Sequence, residues 1–177
     1  PLRRQRQMCI RDRFVDAESG RPEVADAFAT TLVIVDRDTR SIRAVAVTTK
    51  TPDEYCVECA RQFIERQNIE RCQLVTDGEP AIMKLKADVK TARGAKPTDI
   101  SDGSLKDGAY MGAIEGPIRH WQGKVRTLKL ATEKMYGAKL TADHILWPWL
   151  VRHAAFLTEK VHVRADGRTS HLSLIHI

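Results

Sequence analysis

"LVTDGEPAI" at residues 74–82 is the stretch whose reading decides the fold. Leu74 to Thr76 close an apolar run that begins at Cys72; Asp77 ends it, and Gly78, Glu79 and Pro80 stop it. A short, largely apolar run bounded by Gly and Pro predicts a buried strand, with a helix following to about Lys90. An acid at the carboxyl end of such a strand lies on the edge where open α/β sheets hold their sites, and a glycine there lets the chain turn sharply away. The same residue type also caps helices. Asp77 by itself therefore does not decide between a site and a cap.

Upstream, "ATTLVIVD" (29–36) and "SIRAVAVTTK" (41–50) are β-branched runs separated by the polar "RDTR", which predicts a hairpin. From Pro52, Cys56, Cys59, Ala60, Phe63 and Ile64 recur at helical spacing after a proline and acids, which predicts a helix with one face on a sheet. Downstream, residues 93–113 are rich in Gly, Ser and Asp and predict a long loop, with one short extended piece at Thr98 to Ser101. "IEGPIRHWQGKVRTLKLATEKMYG" then predicts a helix with Pro117 near its first turn and Gly137 at its end, despite Gly123. A last helix opens near Pro148, with Trp147, Leu150, Val151, Ala154 and Leu157 as its apolar stripe and "VRADGRT" as an exposed exit. There is no internal repeat.

The chain has 177 residues, 42% hydrophobic and 29% charged, enough for one domain with a core. No apolar run reaches the ~18 residues of a membrane span and no secretory core is present, so a soluble protein without a membrane partner is expected. Four cysteines without a dense framework predict free thiols in a reducing compartment. The net charge of +6 would point to nucleic acid, but its location weakens it. Met8-Cys9-Ile10-Arg11-Asp12 can be encoded by a string whose reverse complement encodes Leu-Ser-Leu-Ile-His-Ile, residues 172–177. Such an inverted pair resembles the transposon-end adapter of sequencing libraries. Residues 1–13 and 172–177 are therefore set aside from the native domain, 14–171. With them go Arg3, Arg4, Arg6, Arg11 and Arg13 against Asp12, so the charge is mostly in that tail.

Glu115 lies 38 positions beyond Asp77, at the expected start of a helix, where the helix dipole alone favours an acid. Together the two acids say more. The order of strand pair, helix, strand ending in Asp, then Glu opening a helix resembles the catalytic core of retroviral and retrotransposon integrases. "TDGEPAI" is similar to that family's second-Asp turn, "MGAIEGPIRHWQGKVRTL" to its Asn-Gly-x-x-Glu helix start, and "WPWLVRHAAFL" through "DGRT" to the stretch that follows in LTR-type retrotransposon polyproteins. The resemblance spans about residues 14–171 and implies a ribonuclease H-like α/β fold: a mixed sheet, antiparallel hairpin plus parallel strands, flanked by helices.

The resemblance further implies an Asp, Asp, Glu triad holding two Mg²⁺ (or Mn²⁺) ions, with DNA end processing and strand transfer at one site. Asp77 and Glu115 would be two catalytic metal ligands. The family's pattern puts the first Asp at position 11, where Arg11 stands; Asp12 is one residue off, which turns a strand side chain to the opposite face, and Asp16 is only a fallback. The simplest expectation is that the first Asp was lost with the upstream sequence and that this fragment is inactive. Met111 in place of Asn and Gly116 after Glu115 are further departures. Arg119, Lys124 and Arg126 would contact DNA phosphates, although Arg119, one turn after Glu115, is equally placed to pair with it, and Lys129 continues the basic face. The implied partners of the intact protein are element ends and target DNA and further copies of itself, in the nucleus.

Other patterns carry less. Cys56 and Cys59 form C-x-x-C, but on an apolar helical face and without a second pair, so core thiols are expected rather than zinc ligands. His120, His144 and His153 lack metal spacing and read as surface or satisfied groups, and Trp121 reads as packing. Two other functions stay open: a non-catalytic nucleic-acid-binding relic of the same fold, and a ribonuclease H-like nuclease.

Overall fold

The computed structural model describes residues 6–9, 30–47, 53–76, 79–102 and 108–175, with the backbone alone at 6–9, 102, 108–114, 174 and 175. In chain order the elements are β1 (Arg6–Cys9), β2 (Thr30–Asp36), β3 (Ile42–Val47), α1 (Glu54–Arg66), β4 (Cys72–Thr76), α2 (Pro80–Ala92), β5 (Thr98–Asp102), α3 (Gly108–Tyr136), α4 (Trp147–Lys160) and α5 (Ser170–Ile175).

The strands form one mixed sheet in the order β3-β2-β1-β4-β5. β2 and β3 are the expected antiparallel hairpin, while β1 pairs antiparallel with β2 and parallel with β4, and β4 parallel with β5. Alternation along β2 explains its unbroken apolar run. Val33 and Val35 pack under α3 and α4 with Ile118, Trp121, Val151 and Ala154, and Leu32 and Ile34 pack on the other face with α1 and α2 through Ala60, Phe63, Ile64 and Leu85. A sheet covered on both faces needs apolar residues at every position. The helix boundaries follow local chemistry: the Asp53 carboxylate accepts from the Cys56 backbone N–H at 2.8 Å and caps α1, and Pro80 opens α2, where its missing N–H costs nothing.

Several expectations change. The stretch 93–113 is not one long loop: β5 adds a parallel edge strand and α3 begins at Gly108, seven residues before Glu115. Pro117 is therefore inside a 29-residue helix rather than in its first turn; the good helix formers Ala109, Met111, Ala113 and Glu115 extend the helix backwards past the missing N–H, despite Gly112. Leu157 is only half-buried, and Ala155 is buried on the α4 core stripe in its place. The "VRADGRT" exit is largely exposed but leads into α5, and it is tied to the β2–β3 turn: Arg164 donates to the Thr39 carbonyl (3.1 Å) and Ser170 to that of Arg40 (3.0 Å). Of the terminal residues set aside above, Arg6–Cys9 form the strand joining the hairpin to β4.

Candidate active site

β4 and β5 run parallel with Thr76 level with Asp102, so both end on the same edge of the sheet. β4 ends at the buried Thr76, and α2 starts four positions later at Pro80. Asp77, Gly78, Asp12 and Asp16 lie outside the described residues, as does position 11. Glu115 is in the second turn of α3, its side chain 37% exposed, with an Arg119 guanidinium nitrogen 3.6 Å from its carboxylate. Of the two readings of Arg119, the ion pair is the one the geometry displays. At 76% side-chain exposure, Arg119 keeps most of its guanidinium in water, where such a pair is weak and easily exchanged.

The other basic residues spread along α3. Lys124 is half-buried and Arg126 exposed, and Lys129 lies 4.0 Å from Glu133, an acid that also accepts from the Leu140 backbone N–H (2.8 Å). Met111 and Gly112 belong to the helix rather than to a loop before it, and a Cβ at the exposed Gly116 would meet nothing within 4 Å. Among the described residues no three His, Cys, Asp or Glu side chains converge as a metal cluster. Glu115 fits a hard divalent ion by chemistry, as a partly exposed carboxylate.

The thiols are core thiols. Cys56, Cys59 and Cys72 are free and buried, and burial pushes the Cys56 thiol up to about 11, far from the thiolate a metal needs. Trp121 is packing, 1% exposed, with its indole N–H donating to the Val151 carbonyl at 3.2 Å. His144 accepts from the Leu146 backbone N–H (3.1 Å) and His153 stacks on Trp149 (centroids 4.6 Å apart). His120 departs from expectation: its ring lies 3.8 Å from that of His162, and its Nε2 is shut off from water with no hydrogen-bond partner among the described residues. Burial, then the proximity of His162 and Lys124, holds its pKa below the ordinary value.

Two residues escaped the sequence reading. Lys86 is 1% exposed on the core face of α2, and its ammonium donates to the Ser101 carbonyl at 3.1 Å, next to the end of β5; a lysine between Leu85 and Val89 was the available signal. Arg93, 4% exposed, donates to the Cys72 sulfur, the Thr98 hydroxyl and the Ile69 and Glu70 carbonyls, clamping the opposite end of β4 to β5.

No protein-family model matches the chain, and no curated protein matches it. Solved structures do match. The catalytic core domain of BIV integrase superposes with a TM-score of 0.65 at 13% identity, over 96% of this chain and 93% of that one. The HTLV-2 integrase catalytic core, solved in complex with magnesium in a trimeric form, gives 0.60 at 11% identity over 96% and 95%. The fold is thus that of an integrase catalytic core, ribonuclease H-like, with the hairpin, parallel strands and flanking helices expected from sequence.

Proposed function

We propose that the intact protein is a divalent-metal-dependent DNA-integrating enzyme of the DDE type, from an LTR-type element, that processes DNA ends and joins them to target DNA in the nucleus as a homo-oligomer. The observation that carries this reading is the sheet order in which β1 runs parallel beside β4, with Met8 level with Leu74. Counting three positions forward along each segment reaches position 11 and Asp77, the two places where the resemblance asks for an acid. Glu115 on α3 is the third. The HTLV-2 core, solved with magnesium and in a trimeric form, supports the metal and the self-assembly.

When bound, the metal supplies a more acidic attacking hydroxyl and charge stabilisation at a phosphodiester. Asp77 and Glu115 would hold it, being hard carboxylate donors. Arg119 orients the Glu115 carboxylate and offers its exposed guanidinium to a phosphate, with Lys124 and Arg126 further along the backbone path. With Arg11 in place of Asp, the present chain lacks a ligand and is expected to be inactive, with Asp12 no substitute. Arg11 is also what favours the second reading, a nucleic-acid-binding relic of the fold.

Titration of Mn²⁺ or Mg²⁺ by calorimetry separates the two. Arg11→Asp is expected to create binding that Asp77→Asn or Glu115→Gln removes, followed by strand transfer on a DNA end substrate. Absence of metal binding in Arg11→Asp, with the fold intact by circular dichroism, sinks the enzyme reading.

A further inference from the structure

The segment that leaves α4, residues 161–173, is weakly held by apolar contacts. Val161 and Val163 are 60% and 58% exposed, and the turn is closed by an isolated bridge between Val163 and Thr169. A lone turn of that size is marginal in water, so its order depends on what fastens it to the rest of the molecule. Towards the β2–β3 turn the fastening is by carbonyls, that of Thr39 for Arg164 and that of Arg40 for Ser170. Those bonds do not titrate near neutral pH.

Towards the helices the fastening is by histidine. The His162 ring lies against that of His120 on α3, with centroids 3.8 Å apart and planes at 31°, and the His120 Nε2 is shut off from water with no hydrogen-bond partner among the described residues. Lys124, one turn further along α3, acts on the same ring. At the other end of the segment, the Lys160 ammonium of α4 lies 2.7 Å from the His171 Nδ1. An ammonium has no lone pair, so Nδ1 is the acceptor and His171 is the neutral imidazole. The acids of these elements are engaged elsewhere, Glu159 of α4 with Arg66 and Asp166 with Arg164. Arg164 also turns to Thr39 and Ser173. A proton on His120 or His162 therefore sets an imidazolium against a ring at van der Waals distance and against Lys124. A proton on His171 removes the lone pair that Lys160 uses and puts two cations in contact.

We propose that His120, His162 and His171 form an acid-sensitive latch, closed at neutral pH and released on acidification, so that residues 161–173 detach from α3 and α4 while the sheet and α1 stay folded. Burial, then His162 and Lys124, lowers the His120 pKa in the closed state. The contact is therefore complete above the ordinary imidazole value of about 6.5 and is lost as pH falls through the closed-state value. The opening is local because the core clusters on both faces of the sheet contain no histidine, whereas the segment has little apolar burial to oppose detachment. This inference does not depend on the enzymatic reading.

The test is amide hydrogen exchange of the full chain, read by mass spectrometry at about pH 7.5 and about pH 5.5, a span that brackets histidine titration, and corrected for the intrinsic rate at each pH. The expected result is a loss of protection confined to residues 161–173, of about tenfold, the effect over one pH unit of one proton bound only when the segment is open. Protection in β2 and α1 stays unchanged. The triple variant His120→Phe, His162→Phe and His171→Gln keeps a ring pair and an acceptor for Lys160 but takes up no proton, and it is expected to lose no protection on acidification. Circular dichroism verifies its fold. If that variant does not fold, the wild-type profile decides alone. Protection of 161–173 that does not change with pH overturns the proposal, as does a loss that appears in β2 and α1 together with the segment, which is global unfolding. An equal loss in the folded triple variant overturns it too.

Discussion

At the level of single residues, His120 shows how a neutral side chain can stabilise by staying neutral. Its folded pKa is lowered, so protonation favours the unfolded chain: the contribution is complete above the unfolded value, about 6.5, and is lost as pH falls through the folded value. Denaturant midpoints are therefore expected to decline from about pH 6.5 downward, and His120→Leu is expected to flatten that decline, because no imidazolium then forms beside His162 and Lys124. An unchanged slope would remove His120 as its source. Trp121 is the opposite case, a large side chain whose one polar atom is satisfied inside the core. Trp121→Ala is expected to cost about 3–5 kcal/mol in urea unfolding. Trp121 already reads as packing in the sequence. No sequence signal marked the His120–His162 contact, whose members are 42 positions apart.

Between elements, the Arg66–Glu159 pair joins α1 to α4 around the β3 edge. The two ends differ: the Glu159 side chain is 5% exposed and that of Arg66 46%. Removing the exposed partner leaves a buried carboxylate alone, so Arg66→Ala is expected to destabilise more than the Arg66→Ala/Glu159→Leu double variant, by about 1–2 kcal/mol after discounting for solvent at Arg66. A double variant no more stable than Arg66→Ala would show that water already satisfies Glu159. Within α3, a Cβ at Gly116 or Gly123 would meet no atom within 4 Å. Changing Gly123 to Ala is expected to raise stability by about 0.5–1 kcal/mol, since the gain is backbone entropy without a clash. The start of α3 was misread because Pro117 signals a helix opening, and here it sits inside one.

For the molecule as a whole, the sheet depends on a strand the sequence argues is foreign. β1 lies between β2 and β4, and without it the hairpin and the β4–β5 pair share no ladder. Deleting residues 1–9 is expected to abolish cooperative unfolding and promote association through unpaired edges; a deletion variant with an unchanged transition would show that the fold closes without β1. What the sequence determined by itself was whatever local periodicity and punctuation encode: the hairpin, α1, β4, α2, the α4 stripe, the core thiols, and the resemblance that singles out Asp77 and Glu115. The structure then decided what depends on distant partners. β5 becomes a strand because β4 offers it a parallel edge; α3 is extended back to Gly108; and the terminal segment is held by the hairpin turn. A cleft at the β3 edge is lined from positions 43, 66 and 152, which come to one place only after the sheet and its helices have packed. Periodicity reports which face of an element is apolar. Which face meets which is settled by burial and pairing across the whole chain.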